Sequence, residues 1–352
     1  MPDWSKSMQQ TFEYYIVDPG TWNDITKLDK VKTCSITRDE SVETLGSATI
    51  DVVDSLGECY IRVYLVTIQN GITEKFPLGT FLVQTPTSKF DGKIREVSMD
   101  AYTPLLELKE NPPPIGYSLL ENENIMDAAY RLTREHARAP VVRTESEDKL
   151  HYDFVSNTND TWLTFISDLI ANAKYYYDLD EMGRILFAPK QDVASLQPVW
   201  TYDDGNSSIL YPETTMNHDI YGIPNVVEVV YSNGGDYFSA RVVNDDVNSP
   251  ISTVNRGREI IYRDSNPSLN GRPTEAYIQE YAEQLLRNLS TLEYTITYTH
   301  GYCPTRIGDC VRLNYEAAGL VGVKARVVSQ SLKCEEGCPV SEKAVFPKKL
   351  WG

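Results

Sequence analysis

SATIDVVDSLGECYIRVYLVTIQNGITEKFPLGTFLVQ, residues 47–84, is the stretch whose reading decides the fold. Its first seven residues alternate, with Ala48, Ile50 and Val52 on one face, and a period of two marks a half-buried strand. Tyr60–Ile68 is β-branched and aromatic throughout, a composition that fits a pleated surface. Asp54-Ser55-Leu56-Gly57 and Asn70-Gly71 punctuate these runs. An Asn-Gly pair accepts the positive φ angles of a tight hairpin turn. Leu78–Gln84 then reads as a further strand. Working outward, Lys32–Thr37 alternates upstream, and Glu96–Ala101 follows beyond Asp91-Gly92. Short strands divided by turns predict a small antiparallel barrel or sandwich over residues 1–104.

The pattern changes at Pro104, and Asn111-Pro112-Pro113-Pro114 continues neither strand nor helix. Ile125, Ala128, Ala129 and Leu132 fall at helical spacing, which predicts a helix over 122–137. A second helix is expected over 160–174, capped by Asn159 or Asp160, with Trp162, Phe165, Ile166, Leu169 and Ile170 as its buried stripe. Tyr175-Tyr176-Tyr177 and Ile185-Leu186-Phe187 read as a hairpin around 178–183. Residues 105–199 therefore form an α+β insert. Beyond Pro198 strands resume. Asn225–Tyr231 and Tyr237–Val243 flank Asn233-Gly234-Gly235, and polar linkers cover Asn244–Ser252 and Asn266–Thr274. Pro273 and a Thr274 cap open a helix over 274–290, whose apolar face is Ile278, Ala282, Leu285, Leu286 and Leu289. Leu292–Thr299 alternates strictly, and Cys310–Asn314 and Val323–Leu332 complete a second β unit over 200–352. The fold class read from this order is α+β, mainly β: two antiparallel β-barrel domains with a helix-containing insert.

Of 352 residues, 41% are hydrophobic, so a packed core is available. Tyr outnumbers Phe 23 to 9, which suits strands with rings inside and hydroxyls at a wet edge, and subunit contacts. The balance of 33 basic and 50 acidic side chains, net −17, argues against tight binding of a phosphate backbone. The acid reads as a solvated surface, or in part as the wall of a channel that a polyanion passes without sticking. No apolar run reaches the length of a membrane-spanning helix. The N-terminus lacks the charged and apolar regions of a signal peptide, so folding in a cytoplasm is expected.

The sequence offers little that carries chemistry. His136, His151, His218 and His300 lie outside any zinc-protease pattern, and surface or capping roles are expected for them. There is no G-x-S-x-G elbow and no phosphate-binding loop. Glu335-Glu336 and Asp245-Asp246 read as solvated loop charge. No catalytic residue and no cofactor is expected, and the chain is read as a non-enzyme. Cys34 and Cys59 sit among strands and behave as small core residues. Cys303, Cys310, Cys334 and Cys338 cluster as C-x6-C and C-x3-C. Free thiols, disulfides and a tetrahedral zinc site all stay open for these four, although neither spacing matches the usual C-x2-C of structural zinc.

Several segments together resemble a known family. Ser35–Ile50 (SITRDESVETLGSATI) resembles the first hairpin of tail hub proteins. Phe76–Pro86 (FPLGTFLVQTP), Val97–Lys109 (VSMDAYTPLLELK) and the run Glu283–Gly352, with LEYTITYTHGYCPTRIGDCVRLNY and CEEGCPVSEKAVFPKKLW, are similar to central baseplate hub proteins. These belong to contractile phage tails, defective prophages and phage-tail-like bacteriocins. The resemblance spans nearly the whole chain and carries no catalytic signature.

The resemblance implies a trimeric ring in which each chain supplies two tube-type barrels. Three chains then imitate a six-fold ring between the hexameric tail tube and the trimeric central spike. Implied partners are copies of the same chain, the tube protein, the spike protein and other baseplate proteins. DNA or a tape-measure protein would transit the central channel without tight binding, and no membrane insertion is implied. The implied location is the baseplate of a virion or phage-tail-like particle assembled in a bacterial host cytoplasm. No fused lytic domain is expected after the second barrel. Two other readings compete: a receptor- or glycan-binding adhesin of the tail tip, suggested by the tyrosines, and a cell-wall hydrolase.

Overall fold

A computed structural model describes residues 2–351 apart from 54–55, 91, 93–94, 234–235, 266 and 268–273. The first segment holds β1 (Gln9–Val17), β2 (Asp24–Lys27), β3 (Val31–Asp39), β4 (Gly46–Val52), β5 (Tyr60–Gln69), β6 (Ile72–Phe90) and β7 (Arg95–Tyr102). The insert holds α1 (Leu106–Glu110), β8 (Ser118–Leu119), α2 (Ile125–His136), β9 (Phe154–Val155), α3 (Trp162–Ala171), β10 (Tyr175–Leu179) and β11 (Ile185–Pro189). Then come β12 (Trp200–Asp203), β13 (Leu210–Asn217), β14 (Val226–Asn233), β15 (Asp236–Val243), α4 (Thr253–Arg256), β16 (Ile261–Asp264) and α5 (Glu275–Leu289). The chain closes with β17 (Thr291–Gly301), β18 (Cys310–Tyr315), β19 (Leu320–Lys333) and β20 (Pro339–Lys349). The protein is mainly antiparallel β, as expected, with 46% strand against 15% helix.

Local chemistry explains these elements. Asn70 and Gly71 both take positive φ, 53° and 77°, and the β5–β6 ladder closes on Gln69 opposite Ile72. That is the tight hairpin which the Asn-Gly pair demands. The turns at Asp54-Ser55 and Asp91, and the glycines of Asn233-Gly234-Gly235, lie outside the described residues, as do Pro273 and most of the Asn266–Thr274 linker. In α2 the Asn124 side chain accepts from the Asp127 N–H. In α3 the cap is Thr161, the residue after the Asn159-Asp160 pair expected to supply it: its hydroxyl accepts from Thr164 N–H while Thr164 reaches back to the Thr161 N–H. A hydroxyl-bearing residue at each of the two positions makes this reciprocal box, whereas Asp160 instead accepts from the Asn157 N–H. In α5 the cap is Thr274, which accepts from Tyr277 N–H.

The strand order of the large sheet is β13-β17-β20-β19-β3-β4-β7-β6-β5-β1-β2, with β18 paired to both β19 and β12. The step from β19 to β3 joins the last segment of the chain to the first, through an antiparallel ladder from Ser329 opposite Asp39 to Lys333 opposite Ser35. The chain resolves into two compact units, one of residues 1–214 and 297–344, the other of 215–296 and 345–352. The segments 1–104, 105–199 and 200–352 were divided by sequence pattern. By compactness, the first two and parts of the third share one unit.

Within the first unit the insert shares one core with the first segment, which contributes Val17, Trp22, Tyr60 and Leu82. Helices α1, α2 and α3 and the β10–β11 hairpin bury Leu132, Trp162, Phe165, Ile166, Leu169 and Phe187 together. Trp162 is 3% exposed, and its ring stacks on His136 at 4.2 Å and meets Tyr117 edge-on. In the second unit β14 pairs β15 antiparallel and β16 parallel. One face of that sheet, with Val227, Val229, Ala240 and Val242, packs on Ile278, Ala282 and Leu286 of α5. Alternation places Glu228 and Arg241 on the other face, where Arg241 and Arg263 both pair with Glu228.

Candidate functional site

In the first unit a connected group of buried polar side chains lies against β19. Strand alternation turns Tyr298 and His300 of β17, Gln330 of β19 and Glu342 of β20 inward together. Tyr202 of β12 and the Cys303–Thr305 turn complete the group. Glu342 is fully buried and accepts from Gln330 Nε2 at 2.7 Å, Thr305 Oγ1 at 3.1 Å and the Tyr298 hydroxyl. His300 Nε2 lies 3.4 Å from Glu342 and 3.0 Å from the Tyr202 hydroxyl. His300 Nδ1 donates to the Gly301 carbonyl at 2.7 Å, because a carbonyl can only accept.

Burial works against charge on the His300 ring, but the Cys303 sulfur and the Glu342 carboxylate outweigh it and lift the pKa to about 10. Burial likewise disfavours the Glu342 carboxylate, and the bonds from His300, Tyr298 and Gln330 overcome it, so its pKa falls below the ordinary value. The result is a buried His–Glu ion pair with its remaining lone pairs satisfied. His300 was expected at a surface or a cap and is instead wholly inside. Its strand neighbours alternate inward and outward, and period two places it with Tyr298 in the core.

Cys303, His300 and Glu342 resemble a nucleophile–base–acid series in residue type only. Cys303 Sγ is 3.9 Å from His300 Nδ1, whose proton is committed to the Gly301 carbonyl. All three side chains are closed to solvent, and a nucleophile must reach its substrate. The arrangement holds strands in place.

Arg38 carries this core to the first segment, and two further arginines, Arg62 and Arg306, tie the insert to neighbouring strands. Arg38 of β3 donates to Gln330 Oε1 at 2.9 Å and to the Leu78 carbonyl at 2.6 Å. Arg62 of β5 is 1% exposed; it donates to Thr80 Oγ1, to Asp24 at 2.8 Å and to the carbonyls of Trp22 and Met182. Trp22 Nε1 donates to the same Met182 carbonyl at 2.7 Å. Arg306 pairs with Glu181 at 2.8 Å and donates to the Leu179 carbonyl in the β10–β11 hairpin. A guanidinium offers a rigid fork of five donors, so each arginine joins groups from different elements. A cavity of about 640 Å3 lies beside Arg38 and Arg306, bounded by the β3–β4 turn, β6 and the β10–β11 hairpin. Burial raises the pKa of Asp178 on its wall, against the pull of Arg306.

The four candidate cysteines do not share one environment. Cys303 lies against Tyr202 and His300. The Cys310 thiol donates to the carbonyl of Val311 next to it. Cys334 N–H donates to the Cys34 carbonyl at 2.9 Å, and Cys338 is buried in the turn that follows. Among the described residues no three His, Cys, Asp or Glu side chains stand close enough to hold a metal ion. Cys34 is a core residue, and Cys59 is partly exposed.

No family model and no curated protein matches the sequence. Solved structures do match it. A tail protein from Neisseria meningitidis MC58 superposes with a TM-score of 0.61 at 12% identity, over 96% of this chain and 97% of that one. The 43 kDa tail protein of prophage MuSo2 from Shewanella oneidensis gives 0.61 at 11% identity, over 96% and 98%. This chain has the tail-protein fold. A chain of the Francisella PdpA–VgrG complex gives 0.55 at 10% identity, over 98% of this chain and 53% of that one. The alignments with the two tail proteins each extend over 96% of this chain.

Proposed function

We propose that the protein is a structural baseplate hub subunit. In this reading three copies form a ring around a central channel and adapt a six-fold tail tube to a three-fold spike. The observation that carries it is the β3–β19 ladder. It joins strands from the first and last segments into one continuous sheet, and in this reading that sheet supplies the tube-like wall. The end-to-end likeness to tail proteins supports the same reading. A closed ring satisfies identical head-to-tail contacts without leaving open ends and covers strand edges. The excess of 50 acidic over 33 basic side chains makes the channel wall negative in part, so a polyanion or tape-measure chain slides without adhering. The buried network carries no reaction in this reading; it keeps the joined segments rigid.

The test is the structure of the intact particle. The expected result is an axial protein in three copies between tube and spike. An off-axis position, or six copies or one, overturns the hub reading. A basic channel wall in an axial trimer removes the charge argument alone. Dye release from purified cell walls by the isolated protein would show a hydrolase instead.

A further inference from the structure

The ladder between β3 and β19 pairs Leu332 with Ile36 and Lys333 with Ser35. One step further along the same register, Cys334 stands opposite Cys34, and its N–H donates to the Cys34 carbonyl at 2.9 Å. Residues directly opposite in an antiparallel ladder point to the same face, with Cα atoms about 5.5 Å apart at a hydrogen-bonded position. A disulfide spans about 4.4–6.8 Å between Cα atoms. The face is the inward one, because Ile36 and Leu332, the pair two residues along, are both buried. The two thiols also touch in their chemistry. Contact with Cys334, together with burial, pushes the Cys34 thiol up, and the buried Tyr14 phenol interacts with both sulfurs.

We propose that Cys34 and Cys334 are a modification site: a reversible disulfide that ties the first segment of the chain to the last. Cys334 is partly exposed and Cys34 is buried, so the order of events follows. The Cys334 thiolate attacks a small-molecule disulfide such as oxidised glutathione, forming a mixed disulfide and releasing one thiolate. The Cys34 thiolate then attacks the Cys334 sulfur, forms the protein disulfide and releases the second. The two protein thiols lose two protons and two electrons in all; the oxidant disulfide takes both and leaves as two thiols. Cys338 is the rival partner, since it lies in the turn that begins at Cys334.

The experiment treats the full-length protein with oxidised glutathione, blocks residual thiols, cleaves at glutamate to separate Cys334 from Cys338, and maps cross-links by mass spectrometry without reduction. The expected result is a Cys34–Cys334 peptide pair that dithiothreitol removes. It is retained in Cys338→Ala and lost in Cys334→Ser. The oxidised protein should melt roughly 5 °C or more above the reduced one, a difference absent from Cys34→Ser. A Cys334–Cys338 link, a glutathione adduct that stops at Cys334, or a fully alkylated Cys34 would each overturn the proposal.

Discussion

Glu342 is the carboxylate that faces His300 inside the protein, so removing either one leaves the other without that counter-charge. Glu342→Ala should cost about 3–5 kcal/mol by denaturant titration, the range for breaking a buried pair from one side. The pH dependence has a definite sign. The raised pKa of His300 means that its contribution is complete below the ordinary value of 6.5 and declines as pH rises toward about 10. The lowered pKa of Glu342 means that its contribution is present above 4.5 and is lost as pH falls further. Denaturation midpoints of the wild type should therefore drop between about pH 6.5 and 10, and Glu342→Gln should flatten that slope. Equal slopes would show that another group sets it. Trp162→Ala should cost about 3–5 kcal/mol as well, for loss of a large core aromatic. The Trp162 stripe was legible because five apolar residues repeat at helical spacing around it. The Glu342 network was not legible. A buried acid looks like any surface acid until distant strands bring Gln330, Thr305 and His300 to it.

Among elements, the helices and hairpins could be read because their signals are local. Caps, apolar stripes and Asn-Gly turns lie within a few residues of the structure they specify. Even so, the α3 cap was displaced by one residue, since Thr161 and Thr164 act as a reciprocal pair and Asp160 does not. Thr161→Ala should lower stability by about 1 kcal/mol, and Thr161→Asn should restore most of it. The β3–β4 hairpin depends on Gly46, whose φ is 145°. A Cβ built there would lie 2.2 Å from the Thr37 carbonyl oxygen. Gly46→Ala should cost about 1–3 kcal/mol or more, from strain and from displacement of a ladder atom. A stability unchanged within experimental error would mean that the hairpin relaxes freely. The β3–β19 pairing had no local signal at all, because each strand satisfies the same alternation whichever neighbour it takes.

For the whole molecule, the seam determines folding kinetics as well as form. Arg38 and Gln330, bonded across it, are 292 residues apart in sequence. Contacts of such separation close only after a large loss of chain entropy. Refolding from denaturant should accordingly be slow, in the range of seconds or longer. Gln330→Ala, which removes a cross-seam bond, should speed unfolding more than it slows refolding if the seam forms after the transition state. A refolding rate reduced by the full stability loss would place the seam in the nucleus instead.

The seam also has a meaning during synthesis. The outer edge of β3 leaves the ribosome long before β19 exists. At about 5–20 residues per second, a separation of 292 positions takes about 15–60 s to synthesise. Throughout that interval β3 is an open edge, able to pair with any nascent neighbour. Its sequence carries Lys32, Arg38 and Asp39 around a short apolar centre, and charged side chains on a strand edge disfavour pairing with another chain because their water shells would have to be stripped. The charges that end up beside the mature seam thus serve first as a guard, keeping each chain waiting for its own C-terminal strand.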